Sequence, residues 1–219
     1  MLLDAPVPDP GPPGPFGTMP WLRATVSRFA NGETHGRRRA LVEELLAAID
    51  PADLREAARE RTLDRAVRDE GSTGSRPATA TAARRCSRVD VRAYVPVAVL
   101  ADALGARDVE AAVAATRVVA AAYHPHTSHS GADAALAQLL DLLGGGEPEL
   151  VAARVAILVQ ACEATAGLVR GDDLPVPATR RVGPDGAIVL VGLAGRPFGA
   201  GARRCPGEAH ALALVEGIR

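Results

Sequence analysis

The residue best placed to do chemistry is Cys205. It closes the loop PFGAGARRCPG, Pro197 to Gly207, directly ahead of the helix-like segment EAHALALVEGI. Pro206 suits a first helical turn, because proline is preorganised for helix entry and gives up an N–H that has no partner there. Cys205 is therefore expected at or near an N-cap, facing unsatisfied N–H groups and the positive end of the helix dipole. Both favour thiolate over thiol, and a thiolate so held is a nucleophile or a metal ligand. Gly199 and Gly201 let the backbone turn sharply and approach a flat group with no Cβ in the way. Arg203, two residues before the cysteine, can reach an anion. The plain alternative is a buried structural cysteine after a turn.

Other groups are weaker candidates. His124, His126 and His129 share the loop HPHTSHSGAD. Their spacing could clip a metal, but no cysteine or fourth ligand accompanies them, and a solvated polar loop is the preferred reading. Cys162 lies in an apolar segment and reads as a small core residue rather than a pocket residue. Arg37 and Arg38 read as solvent-facing. Trp21 and Phe29 read as anchors for the N-terminal segment.

These residues need elements to position them. Residues 1–20 are rich in Pro and Gly and read as an extended, loosely held N-terminal segment. Leu41, Val42, Leu45, Leu46 and Ile49 recur at helical spacing, which predicts an amphipathic helix over roughly 33–49. Asp50-Pro51 reads as an N-cap and first turn of a more polar helix running to about Asp69. A connector follows at 71–88. VDVRAYVPVAVLADALGARD reads as a short strand or turn entering a helix that Gly105 stops. Asp108 caps the next helix, to about Tyr123, and Ala134–Leu143 forms another. Glu149 to about Arg170 is apolar nearly all round. At about 1.5 Å per residue it spans roughly 33 Å and should run through the middle of the fold. Pro175-Val176-Pro177 forces an extended segment, GPDG reads as a hairpin turn, and AIVLVGL is the one convincing strand. The expectation is one mainly α domain over 21–219 with one small β element.

Composition bounds the function. The chain has 219 residues, 47% hydrophobic and 3% aromatic, so its core is built from Ala, Leu and Val. The formal charge of −1 gives no basis for nucleic acid or an anionic membrane as partner. All 25 basic residues are arginine, which reads as compositional bias rather than function. Three scattered cysteines, Cys86, Cys162 and Cys205, are not a disulfide framework and fit a reducing, cytoplasmic setting. The N-terminal stretch lacks the basic start and apolar core of a secretion signal, and the apolar segment near 151–169 reads as a buried helix rather than a membrane span.

Phe198, Gly201, Arg203, Cys205 and Gly207 match the heme-ligand signature F-x-x-G-x-R-x-C-x-G, and on these residues the chain resembles the cytochrome P-450 family. The resemblance implies a reduced P-450-like helical fold with a long central helix. It implies heme b (iron protoporphyrin IX), with Cys205 as the thiolate iron ligand whose electron push favours O–O cleavage. RFANGETHGRRRALV resembles the family helix that lays a His and an Arg over a heme propionate, here His35 and Arg39 at i and i+4 on one face. PVPATRRV resembles the strand entrance that holds an Arg on the other propionate. By register this is Arg181, with Arg180 as the alternative. YVPVAVLADALGARD looks like the segment leading into the substrate-side helices. In ILVQACEATAGLV, Glu163 matches the acid of the family's small-small-x-acid-Thr motif. Ala164 stands where the Thr belongs, and Thr165 follows one place later, about 100° further round the helix.

The implied activity is a heme-thiolate oxidoreductase of monooxygenase or peroxygenase type, acting on a small hydrophobic, secondary-metabolite-like substrate near Glu163 and Thr165. With oxygen as oxidant it would need a ferredoxin-type or flavin reductase partner. The resemblance covers roughly 28–219 at about half the usual family length. The Glu-x-x-Arg helix is missing, and the meander before the cysteine loop is reduced to LAGRP. Two further expectations follow: a homodimer that covers the porphyrin, or a non-catalytic accessory protein that keeps the fold and works by association.

Overall fold

In the computed structural model, residues 2–71, 90–172 and 176–219 are described. Cys86 and the expected connector beyond Gly71 lie outside them.

The longest helix, α7 (Pro148–Arg170), sets the frame. The Glu147 carboxylate accepts the N–H groups of Glu149 and Leu150, Pro148 fills the first turn, and Gly171 ends the helix at φ +85°. This is capping as the local chemistry dictates. Although α7 is long and apolar enough to cross a membrane, 67% of its most apolar window is buried inside the protein. It packs against α2 (Gly32–Ala47), α4 (Val91–Ala103), α5 (Val109–Ala121) and α8 (Glu208–Ile218). α3 (Pro51–Gly71) lies along α8, and α6 (Ala132–Leu142) along α5. A short helix, α1 (Met19–Thr25), completes the bundle. The core is aliphatic, with Leu22, Leu136, Leu139, Leu158 and Leu214 among its largest fully buried side chains. The mainly α expectation holds.

The predicted helices form where their caps place them. The Asp108 carboxylate accepts the Ala111 N–H at 3.0 Å, and the Asp50 carboxylate accepts the Ala52 N–H at 2.8 Å. One difference concerns residues 90–96. They are neither strand nor turn but the first half of α4, capped by Asp90 and carrying Pro96 inside the helix. The β-branched run and the proline argue locally against helix. Burial of nine consecutive residues, Ala93 to Ala101, overrides them.

The β element is a two-stranded antiparallel hairpin, β1 (Ala178–Val182) and β2 (Ile188–Gly192), paired from Ala178↔Gly192 to Val182↔Ile188. The turn forms at GPDG, where Gly186 N–H donates to Gly183 O at 3.0 Å.

The N-terminal segment is not loosely held. Leu3 and Val7 are 2% and 7% exposed. Val7 and the Asn31 side-chain amide exchange two hydrogen bonds, each 2.9 Å. Val182 N–H donates to Pro6 O at 2.8 Å, Arg181 Nε to Leu3 O at 3.0 Å, and Ala202 N–H to the Asp4 carboxylate at 3.3 Å. Residues 2–9 thus form a strap that ties together the start of α2, β1 and the cysteine loop.

Candidate functional site

A cavity of about 910 Å³ opens among α2, α7, α8, the hairpin, the strap and the cysteine loop. Such a volume is in the range of cofactor and small-molecule sites. Its apolar wall includes Val42, Leu46, Ile157, Leu193 and Leu214.

Cys205 is exposed and lines this cavity. Its N–H donates to Phe198 O at 2.8 Å, which closes the loop. Gly199 and Gly201 take φ +74° and +64°, so both occupy the left-handed turn that their residue type permits. The expected position near a helix N-cap holds, but the expectation of a favoured thiolate needs correction. The N-cap of α8 is Gly207, so Cys205 stands two residues ahead of it. The thiol is favoured over the thiolate. Burial pushes its pKa up, and this outweighs the Gly207 N–H and the Arg39 charge, which pull it down. Phe198 and Gly207 also border the cavity. Gly201 does not, and instead packs against the Asp4 carboxylate of the strap.

The residues expected to hold propionates reach the same space from three separate segments. His35 and Arg39 come from α2, Arg181 from β1 and Arg203 from the loop, and all four line the cavity. Arg203 Nη2 donates to Ala30 O and Asn31 Oδ1, both at 2.8 Å. Arg181, 6% exposed, gives Nε to Leu3 O and Nη1 to Thr179 Oγ1 at 2.6 Å. Arg39 pairs with Glu43 at 2.7 Å. Arg181 and Arg203 are fixed chiefly by carbonyl, amide and hydroxyl oxygens, with the Asp4 charge nearby. Burial lowers the pKa of each, and so do neighbouring guanidinium groups, Arg203 and Arg28 acting on Arg181, and Arg28 and Arg39 on Arg203. His35 is lowered by burial first and then by Arg203 and Arg39. This corner attracts anions.

Glu163, Ala164 and Thr165 line the cavity from α7, with Thr165 2% exposed. The helix is α-helical from Pro148 to Arg170, so no π-turn brings Thr165 into the position Ala164 holds. Cys162 is 1% exposed in the core, and burial pushes its thiol up to about 11. It does not line the cavity. Among the described residues no group of three His, Cys, Asp or Glu side chains meets as a metal site. Arg37 is exposed, but Arg38 is largely covered, and both pair with Glu149.

The sequence reading missed part of the wall. Arg28, Phe29, Tyr123, His124, His126 and His210 all line the cavity. Phe29 packs on Tyr123 at 5.3 Å between ring centroids, and His124 stacks with His126 at 5.5 Å. Burial, then Arg28, lowers the pKa of His124 to about 4. His210 Nε2 lies 3.0 Å from both Leu46 O and Ile49 O, so it fastens the end of α2 to α8. The HPHTSHS loop is therefore only partly solvated: its first two histidines face the cavity.

No protein-family model, curated protein or solved structure matches this chain.

Proposed function

We propose that the chain is a cytoplasmic heme-thiolate oxidoreductase of the cytochrome P-450 kind, acting on a small hydrophobic substrate. The carrying observation is convergence. A cysteine, three arginines and His35, drawn from the final loop, from α2 and from β1, border one cavity of about 910 Å³. The donor set suits iron protoporphyrin. It offers one thiol for the metal, an arginine-rich corner for two carboxylates, and aliphatic walls for the ring. Cys205 would hold the iron, and Arg203, Arg181, Arg39 and His35 would hold the propionates. Phe198 would pack beside the sulfur. Bound heme would supply activation of oxygen or peroxide. Glu163 and Thr165 are the side chains on α7 that can exchange protons in the cavity, and Ile157 and Leu193 help keep water from its walls. The raised thiol pKa implies that metal binding must displace the Cys205 proton.

The test is the absorption spectrum of the purified protein, reduced under carbon monoxide. A strongly red-shifted Soret band is expected. Absence of heme after expression with ample precursor would remove this reading.

A second reading is favoured by Ala164 and the uninterrupted α7. On it, the protein binds heme or keeps only the fold and works by association. Turnover with peroxide, or with a surrogate ferredoxin or flavin reductase, separates the two readings. Loaded protein inert to every oxidant over a broad substrate panel supports the accessory role.

A further inference from the structure

The cavity holds more positive charge than a two-carboxylate cofactor uses. Five arginines border it, Arg28, Arg39, Arg180, Arg181 and Arg203, against two acids, Asp9 and Glu163. Arg39, Arg181 and Arg203 are each fixed by hydrogen bonds and belong to the corner assigned above. Arg28 and Arg180 are different. Neither side chain makes a hydrogen bond or ion pair with another described residue. The charge of Arg28 acts on Arg181, Arg203 and Cys205, and also on Tyr123 and His124. The charge of Arg180 also acts on His124. Arg28 is half-buried and Arg180 exposed, and a guanidinium left without a partner at a cavity wall is free to pair with a bound anion.

The surroundings define what such an anion carries with it. Phe29 and Tyr123 pack edge to face with His124, at 6.3 and 5.9 Å. Leu3 and Val7 of the strap and Ile188 and Leu190 of β2 supply apolar surface on the same cavity. The place is a cationic head next to hydrocarbon walls, the complement of a carboxylate on an apolar body.

We propose that Arg28 and Arg180, flanked by the His124–His126 pair, form a subsite beside the cofactor corner in the same cavity, and that it selects a small hydrophobic substrate bearing a carboxylate. This rests on the heme reading for its assignment as a substrate subsite, while the carboxylate binding itself does not require heme.

The experiment is calorimetric titration with dodecanoate and with dodecanol, on the protein as purified and after heme loading. Wild type should bind dodecanoate at least tenfold tighter than dodecanol. The variants Arg180→Gln and Arg28→Gln/Arg180→Gln, checked for helical content, should lose that preference. Their dodecanol affinity and heme content should stay unchanged. Arg180 lies on the exposed side of the hairpin, so the single variant gives a folded test if the double variant fails. Equal affinity for acid and alcohol in wild type, or no binding of either, overturns the proposal. So does an undiminished acid preference in folded Arg180→Gln and double variants. Loss of heme together with dodecanoate would assign these arginines to the cofactor and also overturn it. If the protein binds no heme but prefers dodecanoate through Arg28 and Arg180, the heme reading fails and the carboxylate subsite stands.

Discussion

Asn31 Oδ1 accepts the guanidinium of Arg203 at 2.8 Å and the backbone N–H of Val7 at 2.9 Å. One amide thereby couples the cysteine loop to the N-terminal strap just ahead of α2. Asn31→Ala removes these two bonds and the return bond from Nδ2 to Val7 O. A loss of about 1–3 kcal/mol is expected in chemical denaturation. Hydrogen exchange at the Val7 amide should accelerate much more than exchange in α7. Unchanged protection at Val7 would contradict the coupling.

Variants of the three cysteines should separate by spectrum. Cys205→Ala should abolish the carbon monoxide band, while Cys86→Ala leaves it intact. Cys162→Ala should cost about 1 kcal/mol through a small core void and leave the band in place. Equal spectral loss in all three variants would contradict the assignment of Cys205.

His124 makes stability depend on pH. Its pKa is about 4 in the folded chain against 6.5 ordinarily, with Arg28, His126, Arg180 and Arg23 facing it. The unfolded chain therefore takes up the proton first. This contribution to stability is complete above pH 6.5 and is lost as pH falls towards 4. His124→Gln should flatten the fall in the urea midpoint across that interval. An identical slope in the variant would show that other groups govern it.

Gly217 allows α8 to lie directly on α3. An added Cβ there would press on Arg55 O and come within 2.9 Å of Ala58 Cβ. Gly217→Val should destabilise by ~2–3 kcal/mol as the helices part. A native melting temperature would show that the two helices separate at little cost.

The sequence carried the parts of this fold that depend on local chemistry. Asp50 and Asp108 mark helix starts because capping is decided within one turn of chain. The spacing of Phe198, Gly199, Gly201 and Cys205 describes a loop whose closure is also local. The distant residues His35, Arg39 and Arg181 could be named in advance only through a family resemblance, and the structure adds that they share a cavity with Cys205. The functional roles given to them are the proposal above. What the sequence did not show depends on partners far along the chain. The strap has no periodicity, and its anchors sit 24 and 178 residues away, at Asn31 and Arg181. His124 and His126 lie in a polar stretch with no pattern to announce that it folds against Phe29. The thiol at Cys205 looked like a helix-end thiolate because the dipole can be read from sequence and the burial cannot.

The strap has a kinetic consequence. Any guest whose path crosses residues 2–9 must wait for that segment to peel from Asn31, Val182 and Arg181. Residence time would then follow the frequency of this local release more than the strength of the guest's own contacts. Mild denaturant, far below the concentration that melts the bundle, would speed exchange, and a molecule trapped while the chain folds would wash out slowly.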